Sequence, residues 1–226
     1  PQSTVVQQRL VAAINCYTFS IIVTVFTMHT YEPKTFAIPA LEGISQKQID
    51  VHIGLYQGYV KHVNLLREQI ADLTALDPQK YAFAIESVRR RMGFEFNGMR
   101  MHELYFSQWK GATSAEPHGS ALDTAVSEKY GSWESFIAHF KQVGMSRGSG
   151  WTTLAWDSAG QTPHIWWTAD HELGQLADVR VLLTMDMWEH AYMVDYLPTE
   201  KAKHIEAFLK NLNWGVVEKR FGGIAG

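Results

Sequence analysis

Cysteine is almost absent from this chain of 226 residues: Cys16 stands alone, so no disulfide can form within the chain and no thiolate cluster can hold a metal. Charge of one sign is lacking too. The net charge is −3, with no basic run, no zinc-finger spacing and no RNA-binding aromatic signature, which leaves nucleic acid without a footprint. There is no Gly-x-Ser-x-Gly elbow and no Walker lysine. Gly148-Ser149-Gly150 precedes a strand pattern rather than a helix, so it is not a phosphate loop. His102-Glu103 and His171-Glu172 each lack the second histidine of a zinc-protease helix, and Cys16 has no catalytic partner near it in sequence. What survives these absences is metal-centred or simple acid–base chemistry.

Long apolar runs are equally scarce. One occurs, where no charge appears between Arg9 and His29, and Asn15, Thr18, Ser20, Thr24 and Thr27 dilute it. Three readings stay open for residues 1–30: a signal segment, an anchor with membrane contact through residues 10–28, or sequence upstream of a start at Met28. The expected location is cytoplasmic, or exported or membrane-associated if residues 1–30 are native.

The composition that remains is globular, 46% hydrophobic and 19% charged. Ser45 and Gln48 spell a capping box. Ile49, His52, Tyr56, Tyr59, Val63, Leu66 and Ile70 follow at spacings of three or four, as one inward helix face. Asp77-Pro78 predicts the start of a second helix, with Asp as cap and Pro in the first turn, continuing through Gly93 and Gly98 to about residue 109. Glycines inside a helix cost about 1 kcal/mol each, so both predict a close contact or a site. A loop over 110–120 follows, then helices over 121–130 and 133–143, the second capped by Ser132. Strands are expected over 150–156 and 164–169, flanking a turn at Asp157–Gly160, and over 179–185. A closing helix spans 198–212, with His204, Ala207, Phe208 and Leu212 as its buried stripe. The predicted fold class is α+β: a helical hairpin over 31–112, then an α/β domain over 113–226 with a small three-stranded antiparallel sheet.

With ten histidines and no thiolate pair, imidazole and carboxylate are the available ligands. Asp186 and His190, four residues apart after a strand, can converge on one ion, although that spacing alone recurs by chance. His52, as a lone inward histidine on a helix face, would more often be a satisfied core residue than a ligand. Tyr59, Trp151 and Trp188 read equally as buried aromatics.

The segment DMWEHAYMVDY at 186–196 resembles the metal-binding stretch of the iron/manganese superoxide dismutases. GSGW at 148–151, HIWWTADHE at 164–172 and NWGVVEKRF at 213–221 fit the same family in order. FNGMRMHELYF at 96–106 and VHIGLYQGYV at 51–60 fit its N-terminal half, so the resemblance covers roughly residues 31–221. It implies His52, His102, Asp186 and His190 as ligands of one iron or manganese ion per chain, and Tyr59 as the gateway tyrosine. It puts His171 where many members carry a glutamine touching the metal's solvent, with Gly98 leaving room for it. Trp151 and Trp188 match the aromatic wall, and Glu189 the residue reaching the partner's His190 across a homodimer or higher homo-oligomer. The chain also departs from the pattern. One residue is missing between His52 and Tyr59, and Leu55 or Tyr56 stands where the family has a gateway histidine. Met193 replaces that histidine's cross-dimer tyrosine, and Phe106 a frequent tryptophan.

The implied activity is dismutation of superoxide to oxygen and hydrogen peroxide. Three other readings stay open: a non-haem iron oxygenase, which a third histidine argues against; a non-catalytic superoxide-dismutase-like structural or interaction protein; and a metal-free domain.

Overall fold

The computed structural model describes residues 29–111 and 113–223; the apolar run at 10–28 lies outside the described residues. Among the described residues no helix is long and apolar enough to cross a membrane.

Two long helices, α1 (Gln46–Leu76) and α2 (Ala82–Ser107), pack against each other as a hairpin. Ser45 caps α1, its Oγ accepting from the Gln48 amide at 3.0 Å. The capping box is only half made, because the Gln48 side chain turns inward and the Ser45 N–H is taken by Asp195 at 2.7 Å. The buried face of α1 is Gln48, Ile49, His52, Tyr56, Val60 and Val63. Asp77 corrects one expectation. It ends α1, and its carboxylate accepts from the amides of Gln79 and Lys80 at 3.0 and 2.9 Å in a separate turn. That turn takes up the capping capacity of Asp77, so α2 begins four residues beyond Pro78.

Helices α3 (Ala121–Tyr130) and α4 (Trp133–Gly144) start at Ser120 and Ser132, whose hydroxyls accept from Asp123 and Ser135 amides. They lead into strands β1 (Gly150–Asp157), β2 (Thr162–Ala169) and β3 (Val179–Asp186), an antiparallel sheet in the order β2-β1-β3. The expected turn is present: Asp157 Oδ1 accepts from the Ala159 and Gly160 amides at 3.0 and 2.9 Å. The expected closing helix is present, and a further helix follows it. A 3₁₀ turn (Pro198–Glu200) runs into α5 (Lys201–Lys210), and Asn213 opens a separate α6 (Trp214–Gly222) by accepting from the Gly215 amide. The predicted stripe His204, Ala207, Phe208 and Leu212 is buried.

β3 is an edge strand, and its outward carbonyls alternate along Leu182, Thr184 and Asp186. An edge buried under helices needs partners for them. Arg220 of α6 donates to Leu182 O at 2.7 Å, and Gln108 at the end of α2 donates to Thr184 O at 2.7 Å while accepting from Thr184 N. His204 of α5 meets Asp186 O at 3.2 Å. Three side chains thus finish the strand that delivers Asp186. Burial lowers the Arg220 pKa to about 10, which still leaves it charged at neutral pH.

Replacing fully buried Gln108 by Leu keeps the shape but strands the N–H and C=O of Thr184. Gln108→Leu is therefore expected to lower the unfolding free energy by about 3 kcal/mol, read from urea denaturation with an unchanged m-value.

Candidate metal centre

Four side chains from four elements converge between the hairpin and the sheet. His52 comes from α1, His102 from α2, Asp186 from the last residue of β3, and His190 from the short turn Glu189–Ala191. One ligand atom from each lies within 4.8 Å of all the others. The Nε2 atoms of His52, His190 and His102 stand 3.0, 3.2 and 3.4 Å from a single oxygen, Asp186 Oδ2. His52, His102 and Asp186 are at most 1% exposed.

Protonation states follow from the partners. His102 Nδ1 lies 2.6 Å from Gly98 O, and a carbonyl only accepts, so Nδ1 carries the proton and Nε2 is a bare lone pair. That buried Nε2 has no hydrogen-bond partner. Burial holds His52 below its usual pKa against the pull of Asp186, and holds His102 far below it. Burial alone would raise Asp186, but the charge and hydrogen bonds of His190 and His52 overcome it and keep the carboxylate ionised. Imidazoles around one carboxylate, with an orphaned nitrogen aimed inward, fit a divalent or trivalent first-row ion.

Aromatic rings wall the cluster. Phe94, Gly98, His102 and Phe106 recur every four residues on one stripe of α2. Phe106 meets the His52 ring edge-on at 4.9 Å, and Trp151 meets His102 at 5.1 Å. Trp188 stacks on both His171 and His190, at 4.9 and 5.5 Å. Phe94 closes against His171 at 4.6 Å. Its signal was its spacing, eight residues and two steps of four before His102, but sequence reading passed over it.

His171 enters on the turn after β2, where Asp170 adopts φ +51°, a left-handed conformation that Asp tolerates. Trp151 Nε1 donates to His171 Nδ1 at 3.0 Å, so the neutral ring carries its proton on Nε2 and donates to Tyr59 Oη at 2.7 Å. Burial lowers the His171 pKa to about 4, which keeps the ring neutral. Both ring nitrogens are thereby occupied inside the chain, by Trp151 and by Tyr59. The helix glycines serve different side chains from the one expected. A Cβ on Gly98 would lie 2.6 Å from Tyr59 Cδ1, so Gly98 admits the tyrosine ring rather than His171, while Gly93 makes room for Glu172. Seven residues separate His52 from Tyr59. In the unbroken helix α1 that is close to two turns, which keeps both on one face.

The remaining candidates sit apart from the cluster. Glu189 is exposed and accepts from Ser149 Oγ at 2.7 Å. Tyr56 is fully buried, its ring 6.5 Å from that of His102 and its hydroxyl bonded to the Lys34 amide and to Glu103. Leu55 and Met193 are exposed.

A buried site of three imidazoles and one carboxylate, set between a helical hairpin and a three-stranded antiparallel sheet, defines a mononuclear redox-metal protein. The profile of the C-terminal domain of iron/manganese superoxide dismutases matches residues 117–220. A relative from Aquifex pyrophilus, named an iron superoxide dismutase, is 33% identical over 86% of this chain and 92% of its own. Another so named, from Saccharolobus solfataricus, is 30% identical over 86% of this chain and 94% of its own. One from Tetrahymena pyriformis is 30% identical over 79% and 92% respectively. The chain belongs to the iron/manganese superoxide dismutase family and is an oxidoreductase of that family.

Gly98→Ala forces the Tyr59 ring aside. It is expected to break the Tyr59–His171 bond and to cost about 2 kcal/mol of stability through overpacking, measured by denaturant unfolding together with the near-ultraviolet tyrosine signal.

Proposed function

We propose that this protein converts superoxide to oxygen and hydrogen peroxide at one iron or manganese ion held by His52, His102, Asp186 and His190. The observation that carries the reading is the meeting of three Nε2 atoms at Asp186 Oδ2, with His102 Nε2 otherwise unpartnered in a buried place. Held by these four residues, an iron or manganese ion would supply one-electron redox chemistry. A single carboxylate leaves the ligand set with a charge of −1, so a di- or trivalent centre stays cationic and open to an anion.

The chain's own residues handle the protons. Reduction of superoxide to hydrogen peroxide consumes two of them. Tyr59 Oη accepts the Nε2–H of His171, which frees its own hydroxyl proton to donate toward the centre. Burial, reinforced by the Asp186 charge, raises the Tyr59 pKa, so the phenol stays protonated and serves as a donor rather than an anion. Trp151 fixes the His171 tautomer that makes this direction of donation the only one available. Phe94, Trp151 and Trp188 exclude bulk water around these atoms.

A homodimer belongs to the same reading. Among the described residues His190 Nδ1 makes no hydrogen bond, and the carboxylate of Glu189 beside it is exposed. Exposed apolar side chains lie on α1 (Val51, Leu55) and just after His190 (Met193, Val194, Leu197). Glu189 reaching the partner's His190 would orient that ring, as carboxylates do for ligating histidines.

Elemental analysis after loading iron and manganese separately, paired with a superoxide-consumption assay, tests the proposal. One ion per chain with turnover in at least one form is expected; stoichiometric metal without turnover would leave a structural role instead. His190→Ala should abolish stoichiometric binding. His171→Ala should keep the metal and change the rate.

A further inference from the structure

Two buried side chains grip the Asp186–His190 segment and take no part in the chemistry above. His204, on α5, is fully buried, and its ring stacks on Tyr192 at 5.2 Å. Its Nε2 lies 3.2 Å from the backbone oxygen of Asp186, and since a carbonyl only accepts, Nε2 is the protonated nitrogen. Nδ1 is then a bare lone pair, buried and without a partner. Gln48 stands one turn before His52 on α1 and is 1% exposed. Its Nε2 donates to His190 O at 2.6 Å, and its Oε1 accepts from the Val194 amide at 3.0 Å.

Neither carbonyl is served by the regular backbone pattern. Met187 N donates to Gly150 O, so the facing pair Trp151–Asp186 is one whose own amide groups point out of the β1–β3 ladder. His190 sits in a single turn whose backbone bonds end on the Trp188 and Glu189 carbonyls, leaving its own oxygen unused. Each carbonyl is therefore fixed by one side chain from a different helix, Asp186 from α5 and His190 from α1. Between these two pins the segment is held by that short turn, by the Met187 amide on Gly150 O and by the Trp188 amide on Asp186 Oδ1.

We infer that Gln48 and His204 are positioning residues: by fixing the backbones of Asp186 and His190 they set the separation and orientation of these two ligands, and with them the affinity and symmetry of the metal site. The inference rests on the metal-site reading of the four residues. A packing role alone makes a different forecast for His204. An unpartnered buried lone pair is a cost to the fold, so Phe, of similar shape, would remove it and leave the fold near its present stability with the site untouched.

The test uses the full chain as wild type, His204→Phe, His204→Gln, Gln48→Leu and Gln48→Glu, each loaded with iron or manganese. Metal retained against a chelator is followed by elemental analysis, the site symmetry by the electron paramagnetic resonance line shape of the ferric form, and the fold by thermal unfolding of metal-free protein. Loss of metal about tenfold faster in His204→Phe and Gln48→Leu, with an altered ferric line shape, is the expected result. His204→Gln, which presents an N–H at similar reach, should recover the wild-type line shape. Gln48→Glu keeps the acceptor for Val194 and loses the donor to His190, so it serves if Gln48→Leu does not fold. Wild-type retention and line shape in His204→Phe and in the Gln48 variants would overturn the inference, whatever their melting temperatures. Absence of metal uptake by the wild type would instead remove the functional reading beneath it.

Discussion

One buried carboxylate organises this protein. Asp186 is fully buried, and a lone ion so placed would be costly enough to take up a proton. It stays ionised because His52 and His190 both approach Oδ2, while the amide of Trp188 donates to Oδ1 at 2.9 Å. The three imidazoles in turn are held near one another by that charge. They come from α1, from α2 and from the segment after β3, so the same interaction ties the helical hairpin to the sheet. Removing one member leaves the others as unpaired polar groups in a dry place.

Much of the surrounding architecture can be understood as support for that arrangement. The outer edge of β3 is completed by Arg220, Gln108 and His204, so the strand remains ordered up to its final residue, Asp186. On α2 the four-residue stripe Phe94, Gly98, His102 and Phe106 does two jobs. Its glycine admits the Tyr59 ring, and its aromatics shield the histidines from solvent. Trp188, between His171 and His190, joins the ligand segment to the turn after β2. Packing and chemistry are carried here by the same side chains, which is why a change in one is expected to be felt in the other.

The elements most legible in sequence were those with a local physical signature. The Ser132 cap, the Asp157–Gly160 turn and the three strands have signatures that act over a few residues, and the structure has them close to where the pattern puts them. Signals shared between two structures misled. Asp77-Pro78 serves a tight turn as well as a helix start, and Gln48 completes a cap pattern while its side chain is drawn to His190 instead. α6 was hidden because Gly215 weakens its helical pattern and the Asn213 cap is a single residue. At the site, the four converging residues could be named from motif resemblance. Their supports could not: Gln48 and His204 act on backbone carbonyls, and no spacing rule marks a side chain whose partner is a carbonyl far away in sequence.

The altered gateway is better described as rebuilt than as lost. Tyr56, with Leu55 a candidate for the place of the family's gateway histidine, is buried with its hydroxyl bonded to the Lys34 amide and to Glu103, and Arg100 and Lys34 neutralise that carboxylate. Those bonds fasten the segment around Lys34 onto the helical hairpin. A fully buried ring so committed has no surface to offer another chain, and Met193 has no hydrogen to exchange with it. The contacts ordered toward the centre run instead from Trp151 through His171 to Tyr59, entirely within one chain. Because Trp151 can only donate and His171 is held neutral, the direction of both hydrogen bonds in that chain of contacts is set by the fold, and it ends at the Tyr59 oxygen, which accepts from His171.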